Sequence, residues 1–270
     1  MKPRHAAALL PLSDDVRGRL AGDPCVVMLD VDGTLAPIAP RPEEAAVPDE
    51  TRRVVAALAA RRSVHLALVS GRAAGDARRM VSVSNVWVVG NHGAEVVDPD
   101  GESAVDPQVA PYEQAIARAR RTLSQLLGPV PGVIVEDKHW TLSVHHRQAD
   151  PGVLPRLQST VHRVAQENGL AVHDGKMVFE VRPPVRVDKG TAVFALAQRL
   201  GALETGASVL FVGDDRTDED AFRMLRARVP GAVTVRVGDP EGTVAEFVVP
   251  DPPAVRAFLE EVLALTAQEV

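Results

Sequence analysis

The amino-acid sequence predicts an α/β fold, with a parallel sheet core that is interrupted by a second, smaller α/β unit. Short apolar runs rich in Val and Leu recur without strict alternation, which is typical of strands buried on both faces of a parallel sheet. Segments with apolar residues on one helical face separate several of these runs. The middle of the chain differs, because a strand-like run there alternates polar and apolar residues as half-exposed strands do.

The predicted core elements alternate between strands and helices. Core strands are predicted at residues 25–29, 65–69, 86–89, 208–212 and 232–237. Core helices are predicted at residues 49–61, 189–200 and 217–228. This alternation favours parallel strands that are joined by right-handed crossovers.

The second unit is predicted between the third and fourth core strands. Its helices are expected at residues 111–127 and 153–167, each ending at a helix-stop signal. Its strands are expected at residues 133–136, 141–145, 171–173 and 178–181. We therefore expect an inserted unit at residues 106–186, within a core domain formed by residues 1–105 and 187–270.

Composition and charge argue against several classes of protein. The formal net charge of −6 disfavours a broad nucleic-acid-binding surface. The single cysteine, Cys25, allows no intrachain disulfide, so a reducing compartment is the default. No apolar run approaches the roughly 20 residues that span a bilayer, and the apolar N-terminal stretch lacks a clear signal-peptide cleavage site. We expect a cytoplasmic protein without membrane or nucleic-acid partners, whose N-terminal stretch forms a short helix or a loose arm.

Polar residues follow three of the predicted core strands. Asp30 and Asp32 come after the first strand, and their two-residue spacing directs both carboxylates to one side. Ser70 follows the second strand, Asp214 follows the fourth, and Lys189 precedes a helix. Parallel strands end at a common sheet edge, where open α/β sheets bind ligands, so we expect these side chains to meet.

These residue types suit phosphoryl transfer. Oxygen ligands supplied by few protein groups favour Mg²⁺, which keeps waters and shares a substrate phosphate. One carboxylate can attack phosphorus, and a second can act as general acid and then as general base. Lysine and metal can neutralise the charge of the transferring phosphoryl group. The sequence therefore predicts a metal-dependent phosphatase.

Each of these clusters also has a purely structural explanation. Residues 30–33 could form a simple turn, and a calcium loop is disfavoured because its twelfth position is Arg41 rather than Glu. The acidic run at residues 214–220 could cap a helix at Thr217. Ser70 and Lys189 could be exposed to solvent. Catalysis is favoured because all four clusters occur in order, three of them at the ends of apolar strands.

In these four motifs, the sequence resembles the haloacid dehalogenase superfamily of phosphatases. The resemblance implies a Rossmannoid parallel sheet core with an inserted α/β cap domain that closes over the site and selects the substrate. It implies that Asp30 is the nucleophile and Asp32 the general acid/base, while Ser70 and Lys189 hold the phosphoryl group. The implied Mg²⁺ site consists of Asp30, Asp214 and the backbone carbonyl of Asp32, with Asp218 in support.

Finer strings resemble trehalose-6-phosphate phosphatases over residues 25–250. The strings are NHGAE at 91–95, VEDK at 135–138, LSVHHR at 142–147, GKMVFEVRP at 175–183 and GDDRTDEDAF at 213–222. His146 departs from the family pattern, which has an aromatic residue such as Tyr or Phe there. The resemblance implies Mg²⁺-dependent hydrolysis of trehalose 6-phosphate through an aspartyl phosphate, with a small-molecule sugar phosphate as the partner.

Candidate substrate-binding residues lie beside the core motifs and on the strands of the insert. Sugars need paired hydrogen-bond donors and acceptors, and buried polar groups discriminate best. The resemblance implies that Lys176 and Glu180 contact the sugar. The full candidate set is Gly71, Arg72, Asn91, His92, Glu136, Lys138, His145, Lys176, Glu180 and Arg182. The structural alternative for those on the insert is a solvated, charged sheet face.

Three other functions remain open on the sequence alone. The core motifs do not separate this chain from phosphatases of sucrose phosphate or a glycosylglycerate phosphate. A non-catalytic sugar-phosphate-binding regulator is disfavoured because Asp30, Asp32, Lys189 and Asp214 are all present. A nucleotide-binding enzyme is disfavoured because neither common glycine-rich nucleotide motif occurs.

Overall fold

The structure is a computed structural model that describes residues 7–39, 41, 44–175 and 177–266 of the 270-residue chain. The chain divides into two compact units. The first unit contains the described residues up to Ala104 together with those from Asp188 onward, and the second unit is Val105–Val187. No described helix is both long enough and apolar enough to cross a bilayer.

The strands and helices have the following bounds. The strands are β1 Ala7–Ala8, β2 Cys25–Leu29, β3 Val64–Val69, β4 Trp87–Gly90, β5 Glu95–Val97, β6 Ser103–Val105, β7 Ile134–Asp137, β8 Leu142–His145, β9 Ala171–Gly175, β10 Val178–Arg182, β11 Ser208–Gly213, β12 Val233–Val237 and β13 Phe247–Val249. The helices are α1 Asp14–Leu20, α2 Asp49–Ala59, α3 Ala74–Val81, α4 Glu113–Leu127, α5 Leu154–Glu167, α6 Lys189–Arg199, α7 Asp218–Arg228 and α8 Pro252–Leu265.

The first unit is organised around one large sheet. Its described strands number nine and lie in the order β1-β13-β12-β11-β2-β3-β4-β5-β6. The pairings from β1 through to β4 are parallel, and β5 runs antiparallel to β4. The register places Leu29 opposite Leu68 on one side and opposite Val212 on the other. The predicted α/β core with a parallel sheet is therefore confirmed.

Both faces of this sheet are buried, and successive residues of β2 pack on opposite faces. Cys25, Val27 and Leu29 belong to a hydrophobic core that includes residues of α1, α2, α3 and α8. Val26 and Met28 belong to a second core that includes residues of α6 and α7. Burial on both faces explains why the core strands show continuous apolar runs rather than alternation.

The second unit has its own sheet and core. Its strands lie in the order β7-β8-β10-β9, and every pairing is antiparallel. Leu142 and Val144 pack into a hydrophobic core that includes residues of α4 and α5. Ser143 and Glu180 alternate with the core residues along β8 and β10, so they belong to the opposite, polar face of the sheet.

The structure adds elements that the sequence pattern did not predict. Strands β5, β6 and β13 span only three residues each, too few for a periodic signal, and helices α1, α3 and α8 were not predicted. Helix α8 begins at two prolines after Asp251, whose side chain accepts a hydrogen bond from the backbone N–H of Ala254 at 2.9 Å. The N-terminal stretch includes strand β1, which pairs with β13, instead of only a short helix or a loose arm.

Candidate active site

Four neighbouring strands of the first unit end in polar residues at one edge of the sheet. Strands β11, β2, β3 and β4 are adjacent and parallel. Asp214 follows β11, Asp30 follows β2, Ser70 follows β3 and Asn91 follows β4. The sheet topology thus brings together residues that are far apart in the sequence, at the carboxyl edge where ligands bind in such sheets.

A buried lysine lies at the centre of this edge. Lys189 is 1% exposed, and its Nζ donates to Asp30 Oδ1 at 2.6 Å and to Asp218 Oδ1 at 2.7 Å. Lys189 opens helix α6, whose start is fixed by a capping box in which Asp188 and Thr191 exchange hydrogen bonds. The helix start therefore fixes the backbone position from which the ammonium group reaches both carboxylates.

Three carboxylates surround this lysine. Asp30, Asp214 and Asp218 can each offer an oxygen so that all three atoms lie within 4.8 Å of one another. Asp218 Oδ2 accepts hydrogen bonds from the backbone N–H groups of Asp214 and Asp215, both at 2.9 Å. Asp214 Oδ1 is buried and has no hydrogen-bond partner among the described residues. An orphaned carboxylate oxygen and an excess of carboxylates over cations fit a site for a hard divalent cation.

The charges in this cluster perturb one another strongly. Burial raises the pKa of Asp30 to about 8, and the charge of Asp214 adds to that effect although Lys189 opposes it. Burial and the neighbouring charge of Asp218 raise the pKa of Asp214 to about 7. Burial alone would lower the pKa of Lys189, but the charges of Asp218 and Asp30 raise it well above its ordinary value. Lys189 therefore stays charged, while the carboxylates lack enough positive charge to ionise fully near neutral pH.

Two glycines make the close approach of these carboxylates possible. Gly33 has a left-handed backbone with φ of +81°, and a side chain there would collide with the Asp214 carboxylate. A side chain at Gly213 would collide with the Asp218 carboxylate. The turn after Asp32 is therefore shaped around the acidic cluster.

The carboxylate of Asp32 pairs with an arginine. Arg72 donates to both Asp32 oxygens, from Nε and Nη2, at 2.6 Å each. The backbone N–H of Arg72 also donates to Ser70 Oγ at 3.1 Å, and Ser70 is 1% exposed. The loop that contains Ser70 and Arg72 therefore connects to the segment that contains Asp32.

The turn after β4 contacts the same loop. Asn91 and His92 both have left-handed backbones, with φ of 51° and 56°. Their N–H groups donate to the carbonyl oxygens of Arg72 at 2.7 Å and of Ser70 at 3.1 Å. The ring of His92 lies so close to Gly71 that a side chain at Gly71 would collide with it.

In the second unit, the candidate residues form a row across the polar face of the sheet. Glu136, Ser143 and Glu180 lie opposite one another on β7, β8 and β10. Ser143 Oγ donates to Glu180 Oε1 at 3.0 Å, and Lys138 Nζ lies 3.5 Å from the same oxygen. Lys138 is only 6% exposed, so its contact with Glu180 is a buried ion pair rather than a solvated surface pair.

The remaining candidates of the second unit lie beside this row. His145 Nε2 is 2.7 Å from Glu136 Oε2. Burial opposes ionisation of Glu136, but the hydrogen bond from His145 and the charge of Lys138 lower its pKa below the ordinary value. Arg182 is half-buried at the end of β10, opposite Ala171. Lys176 lies outside the described residues.

The structure also shows contributors that were not predicted from the sequence. Asp215 Oδ1 accepts from the N–H groups of Thr217 at 2.7 Å and Asp218 at 3.0 Å at the start of α7. Arg236 Nη1 donates to the Asp215 carbonyl at 2.7 Å. The acidic run therefore has two roles. Asp215 caps the start of α7, whereas Asp214 and Asp218 belong to the candidate metal cluster. Arg236 and Ser143 gave no sequence signal, because their partners are distant in the chain.

Comparisons with known proteins show the family to which this chain is similar. The family model described as trehalose-phosphatase matches residues 28–247 of the chain. Trehalose-phosphate phosphatase B of Arabidopsis thaliana is 32% identical over 264 residues, which cover 94% of this chain and 70% of that protein. The trehalose-phosphate phosphatase of Mycobacterium avium is 34% identical over 247 residues, covering 89% of this chain and 62% of that protein. The resemblance seen in the finer strings is thereby confirmed.

Some relatives are far longer than this chain. Two Mycobacterium tuberculosis proteins, each named an uncharacterized glycosyl hydrolase, are 36% identical to it over 227 residues. The match covers 83% of this chain, which spans only 17% of the length of those proteins.

Solved structures show the same fold. A trehalose-6-phosphate phosphatase related protein matches with a TM-score of 0.78 at 26% identity, covering 90% of this chain and 99% of that one. The sucrose-phosphatase of Synechocystis sp. PCC6803 matches with a TM-score of 0.54 at 20% identity, covering 90% of this chain and 98% of that one, and shares the fold alone. The predicted haloacid-dehalogenase-like Rossmannoid core is confirmed.

Proposed function

The chain belongs to the trehalose-phosphatase family, and we propose that it is a Mg²⁺-dependent phosphatase that hydrolyses trehalose 6-phosphate to trehalose and inorganic phosphate. The observation that carries this proposal is the buried cluster in which Lys189 contacts Asp30 and Asp218 beside Asp214. Buried charges of this kind are costly to maintain, and a site for phosphoryl transfer explains why they are there. A cytoplasmic location stays a prediction.

The donor set supports a Mg²⁺ site made of Asp30, Asp214 and the backbone carbonyl of Asp32. Both oxygens of Asp218 are already occupied, one by Lys189 and the other by two backbone N–H groups, so Asp218 would support the site rather than bind the ion. The orphaned Asp214 Oδ1 fits a metal ligand. When bound, Mg²⁺ would neutralise phosphate charge and let the carboxylates ionise.

The reaction would proceed in two displacements at phosphorus. A carboxylate oxygen of Asp30 attacks the phosphorus atom and the bond from phosphorus to the sugar oxygen breaks, while Asp32 gives that oxygen a proton. Asp32 then takes a proton from water, which attacks the aspartyl phosphate and releases inorganic phosphate. Lys189 and Ser70 would hold the phosphoryl oxygens throughout.

The pairing of Asp32 with Arg72 adds a condition to this scheme. Both Asp32 oxygens accept hydrogen bonds from the guanidinium, so the carboxyl group faces Arg72. Proton donation therefore requires that Arg72 loosen this contact. Arg72 and Gly71 belong to the loop that begins at Ser70, so a phosphate at that loop is the natural competitor for the guanidinium.

We assign the choice of sugar to the second unit. Asn91 and His92 would lie beside the phosphate group of the substrate. The residues that would contact sugar hydroxyls are Glu136, Lys138, His145, Lys176, Glu180 and Arg182. Support comes from the row of acceptors and donors on the polar sheet face, because carboxylates held by Lys138, Ser143 and His145 can accept hydrogen bonds in fixed directions. By this assignment, Val105–Val187 is the cap domain of the enzyme.

The test is phosphate release from a panel of esters, with and without Mg²⁺. The panel contains trehalose 6-phosphate, sucrose 6-phosphate, glucose 6-phosphate and an aryl phosphate. We expect metal-dependent release with the highest kcat/KM on trehalose 6-phosphate. A lead by another sugar phosphate would refute the substrate but keep the chemistry, and absence of release from every ester would refute both.

A further inference from the structure

Glu95 connects two segments of the site without belonging to the predicted machinery. Glu95 opens β5, and its Oε1 accepts hydrogen bonds from the backbone N–H of Ala74 at 2.7 Å and from Asn91 Nδ2 at 2.8 Å. Ala74 is the first residue of α3, and the residue at its N-cap, Ala73, has no side-chain oxygen to offer. Glu95 therefore supplies the missing acceptor, and its charge suits a helix N-terminus.

The space that Glu95 occupies is shaped by a glycine. A Cβ atom at Gly90 would lie 2.5 Å from the nitrogen of Ala74 and 2.7 Å from Glu95 Oε1. Any other residue at that position would push the carboxylate away from the helix. The contact between Glu95 and α3 thus depends on a backbone that approaches unusually closely.

The backbone at Asn91 and His92 contacts the loop at residues 70–73, which we call the phosphate loop. The backbone N–H of Asn91 donates to the Arg72 carbonyl, and that of His92 donates to the Ser70 carbonyl. Both residues hold left-handed backbones, a conformation that is uncommon outside glycine and that these two hydrogen bonds stabilise. Glu95 binds the Asn91 side chain and the helix that follows the phosphate loop, so one carboxylate ties both ends of this arrangement together.

We propose that Glu95 is a positioning residue for phosphate binding: it locks the turn at residues 91–93 against the phosphate loop. The inference rests on the proposed function, in which Ser70 and Arg72 contact the phosphoryl group. Glu95 itself does not touch the reacting atoms. The proposed metal residues follow other strands, β2 and β11, so loss of Glu95 should weaken phosphate binding and leave Mg²⁺ binding intact.

The experiment compares Glu95→Ala, Glu95→Asp and Glu95→Gln with wild type. Glu95→Ala should raise KM and the inhibition constant of inorganic phosphate about 10-fold, because small displacements of positioning groups are costly. Glu95→Gln keeps an acceptor oxygen at the same reach and should stay within about 3-fold of wild type. The shorter side chain in Glu95→Asp cannot reach both donors, so its KM and phosphate inhibition constant should lie between those of the other two variants. This variant keeps the test informative if Glu95→Ala does not fold.

The matched control is Asp251→Ala. Asp251 also accepts a hydrogen bond from a helix N-terminus, at Ala254 of α8. It follows β13, which β12, β11 and β2 separate from β3 and the phosphate loop. Asp251→Ala should lower the melting temperature about as much as Glu95→Ala does, without changing the inhibition constant of phosphate. Calorimetric Mg²⁺ affinity should be unchanged in every variant, whereas a general loss of structure would lower it.

Two results would overturn the inference. One is a folded Glu95→Ala protein with wild-type KM and phosphate inhibition. The other is a parallel loss of phosphate and Mg²⁺ affinity that Asp251→Ala reproduces. If the wild type releases phosphate from no sugar phosphate, the proposed function fails instead. Calorimetric titration of inorganic phosphate into Mg²⁺-loaded wild type and Glu95→Ala then decides the inference, because it needs no turnover, and equal affinities would overturn it.

Discussion

The sheet edge of the first unit and the polar sheet face of the second unit use charge in different ways. At the edge, Asp30, Asp214 and Asp218 lie close together, and Lys189, which is 1% exposed, contacts Asp30 and Asp218. On the polar face, Glu180 is paired with Lys138 and Glu136 with His145. The edge is therefore short of positive charge, whereas each of these two carboxylates on the polar face has a side-chain partner.

The two regions are therefore suited to different tasks. A buried cluster with excess negative charge is stable only with bound protons or a cation, so it is prepared for a metal and an anionic substrate. A row of paired donors and acceptors needs neither, and it suits recognition of neutral hydroxyl groups. Chemistry and substrate choice should therefore respond differently to mutation, and each prediction below tests that separation.

The largest effect is expected for Asp30→Asn. The amide keeps the size of the side chain but cannot act as the nucleophile, so kcat should fall at least about a thousandfold on every ester. Turnover of trehalose 6-phosphate and an aryl phosphate is the measurement. Asp220→Asn is the control, because Asp220 pairs with Arg223 outside the cluster and should retain activity. Substantial turnover by a pure Asp30→Asn preparation would refute the assignment.

Glu180→Ala should separate the two regions. Loss of this carboxylate from the polar sheet face of the second unit should lower kcat/KM about 30-fold on trehalose 6-phosphate and less than about 3-fold on an aryl phosphate. The control is Asp137→Ala in the same unit, since Asp137 forms an ion pair with Arg120 and belongs to the other face of β7. Equal losses on both esters would indicate a general defect and contradict a role in substrate choice.

The metal-free protein should lose stability as pH rises. The pKa values of Asp30 and Asp214 are raised to about 8 and about 7 from an ordinary value of 3.8. Between about pH 4 and pH 8 the unfolded chain therefore releases protons that the folded chain retains, which favours unfolding. Mg²⁺ should offset this loss, so its stabilising effect should be larger at pH 8 than at pH 6.

Thermal unfolding with and without Mg²⁺ checks this prediction. We expect the difference in melting temperature between the two pH values to be on the order of 5 °C in the metal-free protein. Asp214→Asn removes one of the carboxylates whose pKa is raised and should flatten the metal-free profile. A stability that is independent of pH over this range, in wild type and variant alike, would contradict the charge imbalance.

The smallest effect is expected for Ser143→Ala. The variant removes one hydrogen bond to Glu180, which is worth about 0.5–1.5 kcal/mol, so kcat/KM on trehalose 6-phosphate should fall about 3- to 10-fold. Ser159→Ala is the control, because the exposed hydroxyl of Ser159 donates to the Pro155 carbonyl on the surface of α5. A Ser143→Ala protein with unchanged selectivity would show that Glu180 is oriented without this bond.

The edge was predictable from sequence because its geometry follows from strand topology. Once the apolar runs are taken as parallel strands, Asp30, Ser70 and Asp214 must share one edge, and the structure shows them there. Lys189 was predictable for a related reason, since it opens a helix beside the same edge.

The contacts that fix these residues were not predictable in the same way. The Arg72 pairing with Asp32, the Arg236 contact with Asp215, and the Glu95 contact with Ala74 all join loops or strand ends that are distant in the chain. Such hydrogen bonds leave no periodic pattern in the sequence. Short strands such as β5 are missed for the same reason, because three residues do not establish a period.

Rapid quenching during turnover tests most directly whether the edge of the first unit transfers phosphate through Asp30. The wild type would be mixed with Mg²⁺ and trehalose 6-phosphate, quenched in acid within the first turnover, and mapped by mass spectrometry of its peptides. We predict one phosphoryl group on Asp30 in the wild type and none in Asp30→Asn. Release of inorganic phosphate at the wild-type rate with no phosphoryl group on Asp30, or with the group on another residue, would contradict the account.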